Sequence, residues 1–175
     1  MKNIYLLIGK SGVGKTAVSY YLNEIYNYKL VTSYTTRPKR DFYEKGHIFV
    51  SKEEFDKLDL IAYTKFDKYE YGATAELVKD SDIYVIDVDG LNELKANIKD
   101  KKCVTIYLKT NIFNLIKRMR ARGDSFRRIF ERIKNDRKSF KDVHRINFNY
   151  ILKANKSLEV VAEQVNKIIQ IEEFK

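Results

Sequence analysis

A run of apolar residues, Ile4-Tyr5-Leu6-Leu7-Ile8, leads straight into Gly9-Lys10-Ser11-Gly12-Val13-Gly14-Lys15-Thr16. The run reads as a buried strand. The segment after it carries Ala17, Val18, Tyr21, Leu22 and Ile25 at helical spacing. Strand, glycine loop and helix in this order match G-x-x-x-x-G-K-[ST], a cradle for polyphosphate. Glycines at positions 9, 12 and 14 let backbone N–H groups turn inward at close range. Lys15 is placed to reach the outer phosphates, and the Thr16 hydroxyl to hold Mg²⁺. Taken alone, the motif separates neither kinase from GTPase nor motor from inactive relative.

The chain has 175 residues, enough for one well-packed domain. No apolar run approaches the ~20 residues that span a bilayer, and Met1-Lys2-Asn3 enters the first strand without a secretory leader. A lone cysteine, Cys103, forms no internal disulfide and reads as a small buried hydrophobe. A cytoplasmic protein is expected. The net charge of +10 admits nucleic acid as a partner or an anionic small molecule as a substrate. Lysine is spread along the whole chain, whereas arginine, Arg145 apart, falls in two groups: Arg37 with Arg40, and Arg118 through Arg137. The guanidinium fork suits phosphate oxygens. Two such groups beside a phosphate loop favour a site that clamps two phosphorylated ligands, with no nucleic acid and no membrane as partner.

Strands and helices alternate, which predicts an α/β fold with a parallel sheet. Expected elements are a strand over 3–8, a helix over 15–26 and short strands near 30–32 and 48–50. Ser51-Lys52-Glu53-Glu54 reads as a capping box, and residues 60–73 as one or two strands. A strand from Ile83 continues to Asp89, followed by a helix over 91–99 and a strand over 104–108. A helix carries Ile112, Leu115, Ile116 and Met119 on one face. Ser125 caps the next, which carries Phe126, Ile129, Phe130 and Ile133. A strand over 148–152 precedes a last helix capped by Ser157. Residues 33–80 read as an insertion between core strands, where a second substrate could sit. Asp87 and Asp89 end the strand that starts at Ile83, and a continued strand would put both on one face. Either they serve a metal, as acidic residues at strand ends do in P-loop enzymes, or they cap the next helix.

These stretches together resemble the guanylate kinase family of nucleoside monophosphate kinases. Gly9 to Thr16, Ser33-Tyr34-Thr35-Thr36-Arg37-Pro38-Lys39-Arg40, His47 to Ser51, Tyr71-Gly72, Ile86 to Asp89 and Arg120-Ala121-Arg122-Gly123 carry the resemblance. It implies a parallel-sheet P-loop kinase core (1–32, 81–121 and 132–175), an inserted NMP-binding subdomain (33–80) and a short LID (122–131). It implies ATP and Mg²⁺ as cofactors, nucleotides as ligands, and a monomer or homodimer. By position, Gly9, Ser11, Gly12, Val13, Gly14, Lys15 and Thr16 would hold the donor phosphates, with Asn155 near adenine. Thr16 and Asp87 would organise the metal. Lys15, Arg37, Arg122 and Arg132 would act on the moving phosphoryl group. Arg37, Arg40, His47 and Tyr71 would grip the acceptor phosphate, and Ser33 and Asp89 would lie at its base.

The departures concern the acceptor. The resemblance puts a guanine-reading glutamate where Ala62 stands, and a serine where Ala73 stands. His47 replaces a phosphate-holding tyrosine, the Asp41–Gly46 loop is two residues short, and Lys10 replaces a proline. Glu44 or Thr64 is a candidate substitute for the lost base contacts. His47 reads equally as a phosphate donor group and as a surface strand residue, and His144 is expected outside the site. The resemblance thus implies phosphoryl transfer from ATP to GMP or dGMP. Its alternatives are a changed acceptor, such as another nucleotide or ribose 1,5-bisphosphate, or a non-catalytic binding module. A nucleotide-free module would have no need of Lys15.

Overall fold

The apolar run at 4–8 shows no alternation because both faces of its strand are covered. The structure, a computed structural model, describes residues 2–39, 42, 44, 46–66 and 68–175. Its core sheet joins β6 (Ile83–Val85), β1 (Lys2–Ile8), β7 (Lys101–Lys109) and β8 (Tyr150–Lys153) in that order, all parallel. Tyr5 and Leu7 point to one side. There they meet Val18 and Leu22 of α1 (Lys15–Tyr26), Leu115 and Met119 of α5 (Ile112–Ala121), and the apolar stripe of α7 (Leu158–Glu173). Ile4, Leu6 and Ile8 point to the other side, against Leu91 and Leu94 of α4 (Val88–Asn97). All of these strand residues are at most 1% exposed.

The inserted segment builds a sheet of its own. β3 (His47–Phe49), β2 (Ser33–Thr35), β5 (Tyr69–Thr74) and β4 (Leu60–Phe66) lie in that order. β2 runs parallel to β3 and antiparallel to β5, and β4–β5 is a hairpin. This second sheet is tied to the core through Ala62 and Ala73, which pack into the same cluster as Leu91 and Leu94. The short helices α2 (Lys52–Phe55) and α3 (Ala75–Lys79) complete the insertion. Ser51 forms the expected capping box with Glu54 on α2. α6 (Phe126–Ser139) starts at Ser125, whose side chain accepts the Arg128 N–H as an N-cap should. A 3-10 turn, Val143–Arg145, leads toward β8.

Several sequence expectations need correction. The strand near 30–32 is a single bridge, Leu30 to Ile83, because the chain leaves the core edge at once to enter the second sheet. The strand at Ile83 ends at Val85, and α4 begins at Val88 rather than at 91. Asp87 is the N-cap of that helix, and Asp89 lies in its first turn. The two therefore do not share a strand face. The apolar face of α6 is narrower than its spacing implies. Ile129 is buried, while Phe126 and Phe130 are 70% and 71% exposed. The Arg120 guanidinium lies 4.2 Å from the Phe126 ring centroid and covers part of it. Ser157 stands at the N-cap position of α7, but its side chain does not bond the helix N–H groups.

Ile106, fully buried in the sheet centre, should lose about 2–5 kcal/mol of stability as Ile106→Ala. Ile25→Ala on the exposed side of α1, where Ile25 is 53% exposed, should stay within about 0.5 kcal/mol. Urea unfolding measures both, and equal losses would contradict this placement of the core.

Candidate active site

The loop between β1 and α1 is seated directly on β7. A Cβ at Gly9 would lie 2.5 Å from the Leu108 carbonyl oxygen. Gly14, the N-cap of α1, has φ 107°, a left-handed backbone that L side chains avoid. Val13 is buried and anchors the loop in the core. Arg118 of α5 clamps it from outside, donating from Nη1 to the Val13 carbonyl (2.7 Å) and from Nη2 to the Ala154 carbonyl (2.8 Å). One guanidinium therefore ties the phosphate loop to the turn after β8. In sequence Arg118 is one of many arginines on an amphipathic helix, and nothing local distinguishes it.

The Lys15 ammonium folds back under the loop and donates to the carbonyls of Gly9 (2.5 Å) and Lys10 (3.3 Å). Burial pulls its pKa down to about 8, against the opposing pull of Asp136 and Asp87. Asp136, from α6, was not foreseen. It is 5% exposed, and its carboxylate accepts both the Ser11 backbone N–H (2.9 Å) and the Ser11 hydroxyl (3.1 Å). Burial pushes the Asp136 carboxyl up, while the Ser11 N–H, Lys15 and the Ser11 hydroxyl hold it back.

Lys15, Ser11 and Asp136 line one cavity together with Asp87, Ser33, His47 and Tyr71. The second sheet thus faces the phosphate loop. Ser33 and His47 are register partners on β2 and β3, and the Ser33 hydroxyl meets His47 Nδ1 at 2.9 Å. The Tyr71 ring packs edge-on to the His47 ring, 5.6 Å between centroids. Arg37 is 6% exposed. It is gripped by Glu44, with Nη2 donating to Oε1 at 2.7 Å and Nη1 to Oε2 at 3.2 Å. Glu44 therefore sits on the guanidinium and not in a base pocket. Arg40 lies outside the described residues. Ala62 lines the cavity. Ala73, its partner across the β4–β5 ladder, is fully buried behind it.

Of the remaining candidates, Asp87 lines this cavity, and Arg122, Arg132, Asp89 and Asn155 do not. Arg122, the C-cap of α5, is ion-paired with Asp124, and Arg132 Nε lies 3.8 Å from the same carboxylate. Burial pushes the Asp124 carboxyl up, but Arg122, Arg132 and Arg128 hold it below the usual range. Asp87 lines the cavity while one of its oxygens accepts the Gly90 N–H at 2.8 Å. Asp89 is exposed and lines a neighbouring depression with Lys138 and Arg145. Asn155 accepts a hydrogen bond from the Thr110 hydroxyl at 2.6 Å, on the loop that Arg118 holds. His144 is exposed on the 3-10 turn, away from the cavity as expected.

Mg²⁺ takes one or two carboxylates, with substrate phosphates and waters as its other ligands. Asp87, which lines the cavity with one oxygen outside its cap bond, fits that requirement. Among the described residues there is no group of three or more acidic, histidine or cysteine side chains able to hold a metal alone.

A parallel sheet with a glycine phosphate loop at the end of an inner strand, faced by a second sheet, defines the fold of a P-loop kinase. The family model for guanylate kinase matches residues 1–172. The chain belongs to the guanylate kinase family, nucleoside monophosphate kinases with ATP as phosphate donor. It is 32% identical to the guanylate kinase of Mycoplasmopsis pulmonis, over 96% of this chain and 94% of that protein. It is 27% identical to that of the Aster yellows witches'-broom phytoplasma, over 98% and 87% of the two chains. The crystal structure of guanylate kinase from Anaplasma phagocytophilum shares the fold. Its TM-score is 0.75 at 22% identity, covering 99% of this chain and 87% of that one.

The lowered Lys15 pKa has a kinetic sign. The cation, not the neutral amine, attracts phosphate, so kcat/KM for ATP should fall as pH rises through about 8. A pH–rate profile measured with ATP limiting checks this. A profile flat up to the ordinary lysine range would contradict it.

Proposed function

We propose that this chain transfers the γ-phosphoryl group of ATP to GMP or dGMP across the cavity between the phosphate loop and the second sheet. The observation that carries the reading is the shared lining. Lys15 and Asp87 of the core face Ser33, His47 and Tyr71 of the insertion across one space. Backbone N–H groups from Gly9 to Gly14 would cradle the donor phosphates, with Asn155 beside the adenine. Arg37, with Arg40, His47 and Tyr71, would hold the acceptor phosphate, and Ser33 would lie toward its base. An acceptor phosphate oxygen attacks the γ-phosphorus, the bond from that phosphorus to the β–γ bridging oxygen breaks, and ADP leaves. No protein base is required, because the nucleophile is already an anion. Lys15, Arg122 and Arg132 would neutralise charge on the moving group. Thr16 and Asp87 would hold Mg²⁺, which supplies further charge neutralisation at the phosphates. Asp89 lies outside this cavity, on the neighbouring depression.

Closure of the inserted subdomain (33–80) and the LID (122–131) on the core would exclude water and limit hydrolysis of ATP. A cytoplasmic enzyme acting as monomer or homodimer on small nucleotides is part of this reading; among the described residues no helix is long and apolar enough to cross a membrane.

A second feature bears on acceptor choice. Ala62 and Ala73 stand opposite each other in the β4–β5 ladder and offer no side-chain hydrogen bond. Sites that hydrogen-bond a substrate reject analogues by about 10⁴–10⁵, whereas apolar pockets discriminate by only ~10². ADP release should therefore be seen with GMP and dGMP, and selectivity over AMP should be shallow, about 10² or less. The panel should also include CMP, UMP, dTMP and ribose 1,5-bisphosphate. Turnover with one of these and none with GMP or dGMP would overturn the reading.

A further inference from the structure

The phosphate loop already has an anion on it, and the anion belongs to the protein. Asp136 reaches in from α6, 125 positions away in sequence, and takes both donors of Ser11. It lines the same cavity as Lys15 and is almost wholly buried. Inward-turned N–H groups of such a loop are the groups a phosphate oxygen uses. A carboxylate there has the charge sign and the acceptor geometry of a phosphate oxygen. We propose that Asp136 competes with the donor's phosphates for the phosphate loop, so that nucleotide binding proceeds by exchange of the carboxylate for a phosphate oxygen at Ser11.

Two other contacts follow the same plan. Glu44 takes both terminal nitrogens of Arg37, and Asp124 pairs with Arg122 while lying near Arg132. Arg37, Arg122 and Arg132, all assigned to a phosphate, thus each have a carboxylate of the chain against or near them. Exchange at Ser11 differs because the partner is a backbone N–H, which no substitution of Ser11 removes except proline. The weak point of the competition is therefore the charge on residue 136. Asp136→Asn keeps an oxygen acceptor for the Ser11 N–H and removes the repulsion toward phosphate.

The proposal rests on Gly9–Thr16 being the donor site. Titration calorimetry with ADP and Mg²⁺ separates the two. We expect Asp136→Asn to bind ADP about three- to thirty-fold more tightly than the wild type, the sign set by loss of a like charge. An anchor that merely shapes the loop predicts the opposite, weaker binding with a lower melting temperature. Weaker or unchanged binding by the variant, with the wild type binding normally, overturns the competition and leaves the donor site standing. No binding by the wild type removes the donor site and the competition with it. A crystal structure of the wild type with ADP gives a readout free of any variant. The Ser11 N–H should face a phosphate oxygen with Asp136 beyond hydrogen-bonding reach. Asp136 still bonded to Ser11 would overturn the exchange.

Discussion

The close seating of the Gly9 backbone on β7 is the constraint from which the rest of the site follows. With a would-be Cβ only 2.5 Å from the Leu108 oxygen, only glycine lets the loop lie this close to the sheet. Its N–H groups must then turn toward the open end of the central strands, where ligands of open α/β sheets bind. Two further anchors hold it. Val13 is buried in the core, and Arg118 bonds the carbonyl of that same residue. The Arg118 guanidinium also reaches Ala154, so the turn after β8 moves with the loop. Lys15 is held under the loop by its own bonds to the Gly9 and Lys10 carbonyls.

Charge is the second organising term. The chain carries +10 net charge, yet several of its cations near the phosphate loop and the second sheet are held by carboxylates. Arg37 has Glu44 and Arg122 has Asp124, while Lys15 has Asp136 and Asp87 within electrostatic reach. Burying an unpaired charge is expensive, and burying a pair is tolerable when the geometry is good. These carboxylates let the fold hold a cationic site without stranding its charges. On the exchange proposed at Ser11, a phosphate would enter by displacing the Asp136 carboxylate from the loop.

The framework was legible because it is periodic. The unbroken apolar run, the glycine spacing and the helical stripe of α1 are local patterns with one physical reading. The exchange of roles at Asp87 was less legible. A strand-end carboxylate and a helix N-cap look alike until the backbone turns, and here the Gly90 N–H reaches Asp87 at 2.8 Å and starts the helix. Phe126 and Phe130 show the limit of spacing arguments. They lie at helical intervals with Ile129 and Ile133, but only the neighbouring α5 decides which face is covered, and it covers the isoleucines. Asp136 and Arg118 were beyond reach. Each acts on the phosphate loop from more than a hundred positions away, as a charged residue on a helix rich in charges. Such pairings carry no signature in one sequence.

On the proposed reading, the Lys15 ammonium, held under the loop, would serve phosphoryl transfer and not the fold. Lys15→Ala, assayed for ADP formation from ATP and GMP alongside its thermal unfolding, tests this most directly. Loss of transfer with the melting transition preserved is the outcome this account requires. Near-normal transfer by the variant would contradict it.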